Sequence, residues 1–224
     1  MDPRPAPSPS DLGSHVDATL LRPDAGEAEV VQLCEQAVQF GAFAVCVSPT
    51  RVRLAVESLR RIGVGLPVAA VAGFPSGASR AEVKALEAGL AVADGAAEVD
   101  VVVDLGRAAD GDWTAVESEL RLVRAEVPGV LKVILETGLL EPAGIETGCR
   151  VAEAAGADFV KTSTGFSPAG GATLEAVRLM RRCVGDRLGV KASGGIRTRE
   201  QALAFVEAGA SRLGLSALRA VLGS

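Results

Sequence analysis

The chain has 224 residues, 48% of them hydrophobic, with a formal net charge of −5 and a pI near 5.1. A chain of that size closes one core without disulfides or metals, and its interleaved, net acidic charges exclude nucleic acid and anionic membrane as natural partners. The four cysteines, Cys34, Cys46, Cys149 and Cys183, show neither CxxC nor metal-finger spacing, which points to reduced thiols and a cytoplasmic protein.

Residues 1–10 are proline-rich and lack the apolar core of a signal peptide, so a disordered tail is expected there and a single domain over 11–224. No later stretch reaches the roughly eighteen uninterrupted apolar residues of a membrane helix. Residues 15–21 read as a short strand that turns out at 22–24. Asp24 with Glu27 gives a capping-box start for a helix whose apolar stripe runs through Val30, Leu33, Cys34, Ala37 and Val38, and Gly41 ends it. The same grammar recurs down the chain. A buried strand over 43–47 meets Ser48-Pro49, an N-cap followed by proline at the first helical position. A strand over 67–72 leads through a Gly73–Gly77 loop to a helix capped by Ser79 with Glu82. Strands over 98–103 and 131–136 precede helices over about 113–126 and 143–155. Two further strands, each carrying a lysine, precede helices opened by Thr173 and by Thr198 with Gln201, and a strand over 212–216 closes the series before a short terminal helix.

Eight strands alternate with helices, about 28 residues per unit if 224 is divided by eight. The pairs Gly41-Ala42, Gly95-Ala96, Gly156-Ala157 and Gly209-Ala210 punctuate every second unit. Alternation of this kind implies a parallel sheet, and eight units close into a (β/α)8 TIM barrel. An open doubly wound sheet is the competitor, but no GxGxxG follows the first strand.

Barrel active sites form at the C-terminal ends of strands. One polar or site-facing residue per strand gives Asp17, Cys46, Phe74, Asp100, Glu136, Lys161, Lys191 and Ser216. Lys161, in Asp158-Phe159-Val160-Lys161-Thr162-Ser163-Thr164-Gly165, lies inside an apolar run, and Lys191 repeats the pattern thirty residues on. A charged, unpaired ammonium in a strand buried on both faces would cost several kcal/mol. Residues two apart share a strand face, which groups Lys161 with Phe159 and Ser163, Lys191 with Ser193, and Asp100 with Val102 and Asp104. A pocket with two ammoniums about 5 Å apart would repel them by roughly 3 kcal/mol, about two pKa units, leaving one lysine a free amine near neutral pH. Such an amine attacks a carbonyl and forms a Schiff base. Asp100, alone or through Lys191 and a water, is suited to move the protons. Spacing alone leaves the choice between Lys161 and Lys191 nearly open.

Gly165, Gly194-Gly195 and Ser216 follow the sixth, seventh and eighth strands, where barrels often bind phosphate through loop amides. Metal chemistry is not expected, because the chain has only one histidine, His15, read as structural, and no acidic cluster with suitable spacing. Cys46, on an apolar strand near the site, reads as a small buried hydrophobe before a reactive thiol.

These segments carry a resemblance. Val160-Lys161-Thr162-Ser163-Thr164-Gly165, Val190-Lys191-Ala192-Ser193-Gly194-Gly195-Ile196-Arg197-Thr198, Gly95-Ala96-Ala97-Glu98-Val99-Asp100-Val101-Val102 and Val71-Ala72-Gly73-Phe74-Pro75-Ser76-Gly77 are together similar to the 2-deoxyribose-5-phosphate aldolases, class I aldolases of the (β/α)8 fold, from about Asp17 to Ser216. The resemblance implies that Lys161 forms the Schiff base, Lys191 lowers its pKa and Asp100 joins the proton relay. It implies reversible cleavage of 2-deoxy-D-ribose 5-phosphate to D-glyceraldehyde 3-phosphate and acetaldehyde, with no metal or cofactor. It places Gly165, Gly194, Gly195 and Ser216 at the phosphate and Asp17 near the sugar hydroxyls, groups Thr162 with the substrate-binding positions, and admits a homodimer. Ala18 and Ala217 stand where many members carry a histidine and a second serine. Longer members end in a tail with a tyrosine, and this chain has no tyrosine. The readings that compete are a non-catalytic barrel that binds a phosphosugar and a class I aldolase for another phosphosugar.

Overall fold

The computed structural model describes residues 9–223. Most of the tail expected over 1–10 lies outside the described residues, and Pro9–His15 is a 3-10 helix. Eight parallel strands then close on themselves in chain order: β1 Val16–Leu20, β2 Ala44–Val47, β3 Val68–Ala72, β4 Glu98–Val102, β5 Val130–Ile134, β6 Phe159–Lys161, β7 Gly189–Ser193 and β8 Arg212–Leu215, with β8 pairing β1. The expected TIM barrel is the observed fold.

Between the strands run α1 Glu27–Gln39, α2 Val52–Ile62, α3 Ala81–Ala93, α4 Leu105–Ala109, α5 Trp113–Glu126, α6 Pro142–Ala154, α7 Leu174–Val184 and α8 Arg199–Glu207, and α9 Leu218–Leu222 follows β8. Alternate strand residues point outward beneath these helices. Val45 and Val47, Val99 and Val101, Leu131 and Val133 are fully buried there in one continuous apolar shell. Small and β-branched side chains suit the narrow space between a pleated sheet and a helix. Burying each such valine or leucine stabilises the fold by about 1.5–3 kcal/mol.

The helix ends follow the local chemistry, with two corrections. Thr173 Oγ1 accepts from Ala176 N–H at 3.1 Å, and Thr198 and Gln201 form the expected capping box. The start of α1 is not capped by Asp24. Gly26 is the N-cap, and its N–H donates to Glu29 at 3.0 Å, while Asp24 pairs with Arg22. Likewise α3 starts after Arg80 rather than Ser79. Its register places Lys84, fully buried, against Glu119 at 2.8 Å and the Val102 carbonyl at 2.9 Å, a long-range contact that outweighs a local cap worth about 1 kcal/mol. The sequence reading passed over α4 because five residues are too few to show helical periodicity.

Candidate active site

Strand register decides which ionisable side chains meet. Asp100 on β4 pairs Lys132 on β5, and Lys161 on β6 pairs Lys191 on β7, which pairs Arg212 on β8. All five point into the barrel and are buried, Lys161 being 2% exposed and Lys132, Lys191 and Asp100 0%. Asp17 enters from β1 and Glu98 from β4, also buried. Asp104, expected on the same face as Asp100, turns away to cap α4 through Arg107 N–H at 3.1 Å.

The contacts are unequally shared. Asp100 Oδ2 accepts from Lys161 at 2.8 Å and Lys191 at 2.7 Å, and its Oδ1 accepts from Lys132 at 2.6 Å. Lys132 also meets Glu98 at 2.5 Å, and Lys191 also meets Asp17. Arg212 bonds Asp17 at 2.6 Å, lies 3.4 Å from Glu98, and stacks its guanidinium 3.7 Å from the centre of the Phe43 ring. Four basic side chains, Lys132, Lys161, Lys191 and Arg212, thus face three acidic ones, Asp17, Glu98 and Asp100. A buried cluster with one surplus cation lowers its energy by losing one proton. Among the described residues Lys161 has one carboxylate contact, whereas each of the other cations has two or more.

The titration tendencies agree with that balance. Burial lowers the pKa of Lys161 below its ordinary value; Asp100 opposes this, and Lys191 reinforces it. Repulsion from Lys191 was expected to lead the effect, and burial leads it instead. For Lys191, burial works in the same direction, but Asp100 and Asp17 outweigh it and its pKa is raised. Lys132 is raised as well, its carboxylates overcoming burial. Burial pushes Asp17 upward, but Lys191, Lys132 and Arg212 bring it down to about 2, and the lysines hold Asp100 well below the usual carboxylate range.

A cleft of about 560 Å³ opens above this cluster at the C-terminal ends of the strands. Lys161 lines it, together with Gly165, Gly194, Gly195 and Ser216 from the loops after β6, β7 and β8. Lys191 and Asp100 do not line it. Gly214 makes room for the cluster: a Cβ there would lie 3.4 Å from Lys191 Cε and 3.0 Å from Ser193 Cβ. The structure therefore gathers the sequence-derived lysines, aspartate and loop glycines at one place.

Other expected site residues lie in or beside the cluster without lining the cleft. Asp17 lies at depth with only cations as side-chain partners, and Thr162 is buried with its hydroxyl engaged by the backbone of Ser193, accepting from N–H at 3.2 Å. Cys46 faces the barrel interior, fully buried beside Ala69, Val71 and Leu21, and burial raises its thiol pKa. That environment is the one of a small hydrophobe. His15 bonds the Ser211 carbonyl at 3.1 Å, a structural contact. Sequence reasoning missed Lys132, Glu98 and Arg212. Lys132 carried the same signal as Lys161, an ammonium inside an apolar run, but Glu136 was taken as the polar residue of its strand.

A family model described as DeoC/LacD family aldolase matches residues 15–224. A deoxyribose-phosphate aldolase of Kocuria rhizophila is 54% identical over 215 residues, covering 95% of this chain and 96% of that protein. One of Mycolicibacterium paratuberculosis is 55% identical over 221 residues, 96% of this chain and 97% of that protein. Among solved structures, the deoxyribose phosphate aldolase of Aeropyrum pernix, described as a unique tetramer, superposes with a TM-score of 0.86 at 35% identity, covering 97% of this chain and 92% of that one. A protein described as QR15, an aldolase, gives a TM-score of 0.89 at 40% identity, covering 95% of each chain.

Proposed function

The chain belongs to the DeoC/LacD family of aldolases, and from that premise we propose that its barrel cleaves 2-deoxy-D-ribose 5-phosphate reversibly to D-glyceraldehyde 3-phosphate and acetaldehyde through a Schiff base on Lys161. The observation that carries the residue assignment is the charge count. Four buried cations face three carboxylates, and the least partnered cation is the one that reaches the cleft.

The uncharged Lys161 Nζ adds to the aldehyde carbon of the open-chain sugar, and loss of water leaves an iminium. That cation draws the electrons of the bond between the second and third carbons as the third carbon's hydroxyl gives up its proton. Glyceraldehyde 3-phosphate departs and an enamine of acetaldehyde remains. Protonation of the enamine carbon and addition of water return the free lysine. A water beside Asp100 and Lys191 takes the hydroxyl's proton and returns it to the enamine carbon, so the relay ends as it began; Lys191, held as an ammonium by Asp17 and Asp100, donates to that water, and Asp100 balances the iminium. The amides of Gly165, Gly194 and Gly195 with the Ser216 hydroxyl receive the phosphate. The reading gives no metal or cofactor a part.

The test is borohydride reduction with acetaldehyde followed by peptide mass mapping, alongside product analysis with the phosphorylated sugar. An adduct on Lys161 with glyceraldehyde 3-phosphate as product is expected. An adduct at another lysine, or none on the folded protein, would remove the assignment. Full activity in a chelator is the matching check on metal independence.

A cytoplasmic setting and a homodimer complete the proposal. Four free cysteines support the first, and among the described residues no helix is long and apolar enough to cross a membrane. The second is supported by Val83, Leu86 and Leu90 in a row on the outer face of α3, with Leu122 exposed on the adjoining α5. Light scattering of the purified protein distinguishes a dimer from a monomer or a tetramer.

A further inference from the structure

Glu136 stands where the chain leaves β5, with φ of 51°, the one non-glycine residue in the left-handed region among those described. That conformation costs a side-chain-bearing residue on the order of 1 kcal/mol or more and persists when the surroundings hold it. What holds it here is its carboxylate, buried at 1% exposure. Glu136 Oε2 accepts from Thr164 N–H at 3.1 Å and from the Thr164 hydroxyl at 2.5 Å, and that hydroxyl in turn accepts from Phe166 N–H at 3.1 Å. The flanking backbone is tied to the same segment, Leu135 N–H to the Lys161 carbonyl at 3.0 Å and Thr137 N–H to the Thr162 carbonyl at 2.8 Å.

The grip therefore falls on residues 164–166, directly after the Lys161 strand. Gly165 within it is packed on the next loop, since a Cβ on Gly194 would come within 3.0 Å of Gly165 Cα. Both glycines line the cleft; Glu136 does not. Its carboxylate grips the loop from outside that cleft, where Glu136 lines a smaller cavity of about 200 Å³ with Thr164 and Phe166.

We propose that Glu136 is a positioning residue that acts through Thr164 to hold the Gly165 and Gly194 amides in place for the substrate phosphate. This rests on the reading that those loops receive phosphate. Replacing the carboxylate by an apolar group leaves two donors of Thr164 without an acceptor and frees the loop, while Lys161 stays fixed by its own strand.

The experiment compares steady-state cleavage of 2-deoxyribose 5-phosphate and of unphosphorylated 2-deoxyribose in wild type, Glu136→Leu, Glu136→Gln and Thr164→Val. Glu136→Leu is expected to raise KM for the phosphorylated sugar by about tenfold, with kcat/KM for the unphosphorylated sugar and the acetaldehyde adduct on Lys161 kept within about threefold. Glu136→Gln keeps an acceptor oxygen and the shape, and should return KM to within about threefold of wild type. Thr164→Val removes only the hydroxyl and gives a smaller rise in the same KM, which serves if Glu136→Leu does not fold. Equal losses on both sugars, or an unchanged KM in Thr164→Val, would overturn the proposal. Failure of the phosphate reading is seen separately, in wild type alone, as equal KM values for the two sugars.

Discussion

Lys161 and Lys191 are register partners on neighbouring strands and both donate to one carboxylate oxygen, Asp100 Oδ2, at 2.8 and 2.7 Å. The two are not equivalent. Lys191 has a second carboxylate in Asp17 and an elevated pKa, whereas Lys161 has Asp100 alone, a lowered pKa and access to the cleft. The two lysines thus share one oxygen but titrate in opposite directions, Lys161 downward and Lys191 upward.

Replacing Lys191 by leucine removes the surplus positive charge, so Lys161 becomes the necessary partner of Asp100 and takes up a proton. The free amine exists above the Lys161 pKa, so raising that pKa moves the acid limb of the kcat/KM profile to higher pH. Activity at pH 7 should fall by about a hundredfold or more. An acid limb left in place would show that Lys191 does not govern the protonation of Lys161.

Lys132→Met also brings the count to three against three, and the same alkaline movement of the acid limb is expected. It differs in stability. Glu98 and one oxygen of Asp100 lose their nearest ammonium, at a cost of about 3 kcal/mol, read as a lower urea midpoint with unchanged slope. A variant as stable as wild type would mean that the remaining cations redistribute to cover both carboxylates.

Asp17 and Asp100 have folded pKa values below the ordinary carboxylate range. Each therefore contributes stability that is present above its unfolded pKa of about 3.9 and lost as pH falls through its folded value. Urea midpoints should drop between about pH 4 and pH 2. In Asp17→Asn the drop should be shallower and the protein less stable at pH 7, since Arg212 and Lys191 lose their shared anion. An equal pH dependence in variant and wild type would rule out the contribution.

Gly194 adopts φ of +86°, and an added Cβ would come within 2.9 Å of Gly171 Cα and 3.0 Å of Gly165 Cα. Gly194→Ala should displace the β7–α8 loop and raise KM for the phosphorylated sugar by about tenfold, the strain being on the order of 1–3 kcal/mol. The borohydride adduct with acetaldehyde should survive. Loss of that adduct would place the loop in the chemistry of Lys161 rather than in phosphate binding.

Much of this site was legible in the chain. Lys161, Lys191 and Asp100 each interrupt an apolar run, and an ionisable group in such a run must be paired, used or neutralised. Gly165, Gly194 and Gly195 could be placed at strand ends by the same alternation. Lys132 carried the same mark and was missed because Glu136, nearer the strand end, was taken for that strand. Arg212 and Glu98 open their strands and look there like solvent-facing ends. Glu136 itself was seen only as a polar strand end, since its acceptor role toward Thr164 spans 28 positions.

The sequence by itself determined the alternation of strand and helix, hence the barrel, and that Lys161, Lys191 and Asp100 would be buried, because periodicity and apolar runs are local properties of the chain. The tertiary structure decided which charges face one another. Only closure of β8 onto β1 brings Asp17 to Lys191, 174 residues away. The count of four cations to three carboxylates, and with it the unequal partnering of Lys161 and Lys191, follows from electrostatic neighbours in space that no stretch of sequence contains.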